Sequence, residues 1–253
     1  MKRILIIFLS TLLFACICEA TDTKVTVRVL AKDAKYVGTS MGGALIILRD
    51  SLSGEILARG VTKGETGNTR AIVAEPRKRH AAIYDDTSAK FVATVNVKEP
   101  TLIDVEATGP LAQKQSAVKS TTQVWLIPGK DITGNGVTLE LPGFSVRLLQ
   151  PLPHETIALN GKTSVAIKAN VVMMCGCPTE PGGVWDSSKY EIKAIVKHNG
   201  EMLSAMPLSF AGKTSTYSGN LEVSKPGAYE IILYAYDPET GNSGVDSTTF
   251  NAR

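Results

Sequence analysis

From Lys24 onward the chain is written almost entirely in short alternating runs. In KVTVRVLAK the apolar residues Val25, Val27 and Val29 alternate with polar neighbours. ALIILRD, KFVATVNVK, TLIDVEATG, TQVWLIPG, VTLELPG, SVRLLQP, SVAIKANVVMM, YEIKAIVKHNG, AYEIILYAYD and DSTTFNA follow at similar lengths, with Gly, Pro, Asn and Asp between them. A period of two sends successive side chains to opposite faces of a strand, so each run offers one face to a core and one to water. That is the pattern of antiparallel sheet. No stretch after residue 24 sustains the period of an amphipathic helix. Repeated short strands with turn signals between them predict an all-β chain built of sandwiches.

The first residues are written differently. Lys2 and Arg3 precede an apolar run from Ile4 to Ala15 that only Ser10 and Thr11 interrupt, and small residues follow. That is the layout of a secretory signal peptide. The run is shorter than the ~20 apolar residues a spanning helix needs. Two cleavage sites compete. One lies after Ala20. The other is a lipoprotein cut before Cys16 in LFAC, which would leave a lipid on Cys16, although Phe14 is bulky where a small residue is usual. Either way the expected mature chain is exported, to periplasm, cell envelope or extracellular space, with no transmembrane segment. The remainder fits two ordinary domains. Pro142, Pro151 and Pro153 cluster where one set of runs ends and another begins. The expected organisation is a signal peptide at 1–20, one sandwich at 24–141 and a second at 142–253. The 27 Lys and Arg residues nearly balance 24 Asp and Glu, which argues against a general nucleic-acid binder.

In the first half, KVTVRVLAKD and VGTSMGGALIILRDSLSGEILARGVTKGETGNT run strand, Gly-bearing loop, apolar strand and turn. This half resembles the carboxypeptidase regulatory-like (transthyretin-like) sandwich family, and KFVATVNVKEPTLIDVEATGP resembles that family's late strand pair. EPRKRHAAIYDDTSAK departs from the compact hairpin expected between them. The resemblance implies a structural or adhesive companion of other proteins, without catalytic residues. The second half, with GKTSTYSGNLEVSKPGAYEIILYAYDPETGNSGVDSTTF, resembles exported bacterial Ig-like domains. That resemblance implies an architecture and leaves activity open.

One stretch hints at chemistry. Residues 173–178 read MMCGCP, and Cys175 and Cys177 are the cysteines that remain after residue 20. On an Ig-like sandwich the cluster ends the second strand, at one pole. The YDPETGNSG loop belongs at the same pole, which makes Trp185, Tyr236, Asp237 and Glu239 expected neighbours of Cys175. If the strand ran straight, Met173, Cys175 and Cys177 would share one face and Met174 the other. Three soft sulfurs on one face suit Cu(I). Zinc wants four nitrogen or sulfur ligands, and neither His154 nor His198 has ligand spacing to the cysteines. In an oxidising compartment the same two cysteines can instead close a small disulfide, a redox pair. A third reading is inert, since Cys and Met are also good core residues. All three stay open.

Other constellations are weaker. EPRKRH, Glu75 to His80, is the densest basic stretch, with Arg70 nearby; it suits an anionic surface or is a solvated loop. Asp85, Asp86, Asp237 and Glu239 lie in loops without the regular spacing of a calcium loop, and turn chemistry accounts for them. GKDITGNG lacks the helix that a phosphate loop needs. GTSMGG lacks nucleophile-elbow spacing, and three scattered histidines support no triad. The sequence therefore predicts a non-enzymatic exported binding or scaffold protein. It would act through sandwich edges and loops on a protein partner or envelope surface, with no nucleic acid and no resident cofactor. The alternative is a periplasmic Cu(I)-handling or thiol-redox accessory built on Met173, Cys175 and Cys177. A third option is a pair of accessory domains for a separately encoded enzyme.

Overall fold

The computed structural model describes residues 20–253. The signal peptide expected at 1–20 lies, apart from Ala20, outside the described residues, and Cys16 with it. The chain is all-β. Its first seven strands are β1 (Thr21–Ala31), β2 (Leu45–Asp50), β3 (Ile56–Val61), β4 (Phe91–Val97), β5 (Thr101–Gly109), β6 (Val118–Leu126) and β7 (Ile132–Leu141). They form two sheets, ordered β4-β1-β7 and β3-β2-β5-β6. The later strands are β8 (Phe144–Gln150), β9 (Glu155–Ile157), β10 (Thr163–Met173), β11 (Glu191–His198) and β12 (Glu201–Pro207). After them come β13 (Ser209–Phe210), β14 (Thr216–Val223), β15 (Gly227–Tyr236) and β16 (Ser243–Ala252). These also form two sheets, β13-β14-β10-β8 and β12-β11-β15-β16-β9. Two sandwiches result, and ladder pairing passes from one set of strands to the other between Leu141 and Phe144.

Alternation becomes packing as expected in most strands. In β10, Val165, Ile167, Ala169, Val171 and Met173 are buried, and the residues between them are exposed or half-buried. The second sandwich carries two Ig-like signatures. Its first strand is split: β8 pairs antiparallel with β10 in one sheet, and β9 pairs parallel with β16 in the other. Pro151 stands between the two pieces and has no N–H with which to continue the first ladder. Near the start of β15, the Tyr229 hydroxyl donates to the Lys225 carbonyl at 3.0 Å, the corner tyrosine of Ig-like sandwiches. Two residues on, where antibody domains place a cysteine, Ile231 is fully buried.

β1 breaks the one-wet-face rule. Thr26, Arg28 and Leu30 point away from the core of the first sandwich, yet all three are buried. The long segment between β3 and β4 folds over Arg28 and Leu30, and Leu30 packs in a small cluster with Tyr36, Ile72 and Ala89. Arg28 is 2% exposed. Its Nε donates to Gly134 O, and its Nη1 donates to Ser88 O and Ala89 O. Its guanidinium lies 4.2 Å from the Tyr84 ring centroid and 5.7 Å from that of Tyr36. Carbonyls and π faces thus replace the carboxylate that a buried cation usually finds.

Candidate functional site

The sulfur cluster sits where the two sandwiches meet. β10 stops at Met173 and the chain reverses. Gly176 N donates to Met173 O at 2.7 Å, and Met173 N donates to Cys177 O at 3.0 Å. Gly176 has φ +81°, a left-handed conformation that glycine adopts without a steric penalty. The strand therefore does not run straight, and the expected arrangement, with Met174 opposite the other three sulfurs, is corrected. The turn folds all four into the interior: Met173, Met174 and Cys175 are 1% exposed and Cys177 is 4% exposed. Cys175 and Cys177 are joined as a disulfide, with Cα atoms 5.5 Å apart.

What buries the turn is the first sandwich. A Cβ built on Gly176 would stand 2.9 Å from Met41 Sδ, so Met41 lies directly on the turn. A Cβ on Gly143 would stand 3.1 Å from Met174 Cε. The hydrophobic core runs without a break from one sandwich to the other through Met41, Phe144, Met173, Met174, Cys175 and Cys177. Met41 was not legible as part of this site. It belongs to GTSMGG, far away in sequence, where no periodic pattern marks it.

Polar contacts clasp the same joint. The turn after β1 is held from two sides. Trp185 Nε1 donates to Asp33 O at 2.9 Å, and Asn242 Nδ2 donates to Lys32 O at 3.1 Å. Lys32 Nζ donates to Thr240 O at 2.7 Å, and Gly143 N donates to Asn242 Oδ1 at 2.8 Å. A second clasp reaches β8, where Gln115 Nε2 donates to Val146 O at 2.9 Å and Val146 N donates to Ser116 Oγ at 3.1 Å.

Of the expected neighbours, Trp185 lines one cleft with Cys175 and Cys177. This cleft, of about 430 Å³, is walled on the other side by Lys35, Ser40 and Thr66. Asp237 and Glu239 sit in the loop that closes on Lys32. Asp237 is buried and accepts from Glu239 N and Thr240 Oγ1. Tyr236 lines a separate groove with Tyr190, Glu191 and Pro238. Burial first, and then the carboxylates of Asp237, Glu239 and Glu140, hold the Asp33 carboxyl above its ordinary 3.8. Burial, with Asp237 and Asp33 adding to it, pushes the Tyr190 hydroxyl above its ordinary 10.0.

Chemically, the joint is an apolar plug with hydrogen-bonded margins. In the bonded state neither cysteine is a thiolate, the form that ligates a soft metal. Met173 faces the core opposite Phe144 of β8. Among the described residues no group of three or more His, Cys, Asp or Glu stands close enough to hold a metal ion.

The strand order defines a tandem of β-sandwiches, the second Ig-like. No family model matches the chain, and no curated protein matches it. Among solved structures it is similar to an engineered protein at 12% identity and TM-score 0.33, covering 51% of this chain and 24% of that one. It is similar to the fibronectin(III)-like modules of Clostridium thermocellum CbhA at 13% identity and TM-score 0.30, covering 83% and 78% of the two chains. A chimeric titin Z1Z2-Z1Z2 tandem follows at 11% identity and TM-score 0.25, covering 92% and 91%.

Proposed function

We propose that this is an exported, non-enzymatic binding or scaffold protein whose two sandwiches, divided near residue 142, present loops from a fused joint. The first sandwich, over residues 24–141, we assign to the transthyretin-like kind. Its seven strands in a three-plus-four pair of sheets support that assignment. One observation carries the reading: the sulfur cluster of residues 173–177 is buried in the contact between domains and shared with Met41. Tandem domains move relative to each other unless their interface is large and apolar, and this interface is a continuation of both cores. The function is then to hold surfaces at a fixed mutual angle for a protein partner or an envelope surface.

Native intact mass spectrometry tests it, on protein purified from the cell envelope without reductant or chelator. The scaffold reading expects a metal-free mass two hydrogens below that of the dithiol form. It also expects Cys175→Ser with Cys177→Ser to keep partner capture. A copper adduct that disappears in the double serine variant would sink the reading and favour copper handling.

A further inference from the structure

The segment between β3 and β4 carries a feature that the joint does not use. Residues 74–82 are exposed without interruption, the longest such run among the described residues. Their neighbours on both sides are pinned. Ile72 is buried in the middle of a short helical turn, Arg70–Ala74, whose arginine pairs with Glu75. On the returning limb Asp85 accepts from Thr87 and Ser88, and the carbonyls of Ser88 and Ala89 hold buried Arg28. The result is a finger with a fixed base and a solvent-exposed tip.

The tip reads Arg77-Lys78-Arg79-His80. Residues 70–80 hold four of the chain's 27 Lys and Arg residues and one of its 24 Asp and Glu, so the rest of the chain is formally neutral. Several basic side chains elsewhere stand beside acids: Arg49 and Lys119 on Glu106, Lys193 on Glu191, Lys197 on Glu230. Among the described residues no carboxylate pairs with Arg77, Lys78 or Arg79. Asp85 and Asp86 lie back on the returning limb, where Asp85 is engaged in its own turn. The formal positive charge is thus gathered on one exposed tip.

We propose that Arg77, Lys78 and Arg79 dock this protein on an anionic lipid-headgroup surface. Shape and composition favour a membrane over a folded protein. A specific protein interface needs a desolvated core of aromatic or aliphatic anchors, and the tip offers charge flanked only by Pro76, Ala81 and Ala82. A surface of phosphate headgroups needs no such core. It attracts each nearby Lys or Arg by about 1 kcal/mol and does so only within a Debye length.

The test is co-sedimentation of the purified protein with vesicles of phosphatidylcholine alone and of phosphatidylcholine mixed equally with phosphatidylglycerol. Neutral vesicles set the background, including any contribution of a lipid on the chain. Three cations at that strength predict binding to the anionic vesicles on the order of a hundredfold tighter, weakening steeply with salt. Lys78→Ser with Arg79→Ser, both exposed, should remove most of the difference and leave the thermal midpoint unchanged, and adding Arg77→Ser, which also gives up the bond that Arg77 Nη2 donates to Ile72 O at 3.4 Å, should abolish it. Equal binding to both vesicles, or a preference that the triple variant keeps, overturns the proposal. So does indifference to vesicles coupled with capture by immobilised polyglutamate, which would assign the tip to an acidic polypeptide instead.

Discussion

Gly176 shows how much of the joint rests on single atoms. Its left-handed φ costs an alanine about 1–2 kcal/mol by itself, and the new methyl would press on Met41 Sδ. Gly176→Ala should therefore lower the thermal midpoint. Met41→Ala should cost about 2–5 kcal/mol as a buried truncation. Combined, the two should cost less than their sum, because removing the thioether makes room for the methyl. A double-mutant cycle by denaturant unfolding checks this, and strict additivity would show that the two residues do not touch. The cysteines and methionines of MMCGCP were legible as unusual, since their types and spacing are local facts. Their partner was not, because nothing in GTSMGG encodes which distant turn Met41 will cover. Arg28 was illegible for a related reason: alternation assigns it to water, and only the fold of residues 62–90 removes the water.

At the level of strands, the sequence reading gave edges and loops equal weight as binding surfaces. The second sandwich blunts its edges. β9 and β13 are short, and β12 carries a register shift against β11 between Val196 and Lys197, a bulge that twists an edge away from pairing. β8 is stopped by side chains: Ser116 Oγ accepts from Val146 N and Asp246 Oδ2 accepts from Leu148 N. On the proposed reading, recognition by the second sandwich then falls to its loops. Ser116→Ala should leave the buried Val146 N–H without its acceptor and cost about 1–3 kcal/mol. Faster hydrogen exchange confined to Val146 and its neighbours would report it. Strand existence and the all-β, two-sandwich architecture followed from alternation and turn signals. The capping of β8 did not, because it joins backbone N–H groups to side chains 30 and 98 residues away, the first of them across a domain boundary.

For the whole molecule, the joint should respond to pH. The folded pKa of Asp33 is raised above 3.8 by burial and by facing carboxylates. The folded state thus binds this proton more readily than the unfolded state does. Its contribution to stability is fully present below the ordinary aspartate range and is lost as pH rises through the raised value. At neutral pH Asp33 opposes the closed joint. Asp33→Asn keeps a residue type that tolerates the φ of +56° found there. It should raise the thermal midpoint at neutral pH, raise it little near the bottom of the aspartate range, and do less in high salt because the Asp33 side chain is only partly shielded from solvent ions. An equal offset at both pH values would remove the carboxylate cluster as the cause.

The way each sandwich is threaded has a mechanical consequence. β1 and β7, the first and last strands of their sandwich, lie side by side and run parallel, from Val25 opposite Ile132 to Ala31 opposite Leu141. β9 and β16 do the same over only Glu155 to Ile157. Two parallel neighbours pulled from the start of one and the end of the other are loaded along their length. Every ladder bond between them then bears tension together, instead of parting one at a time. The protein would behave as a tether under load, and its weak link would be the short clamp: drawn end to end in a force spectrometer, the second sandwich should yield before the first.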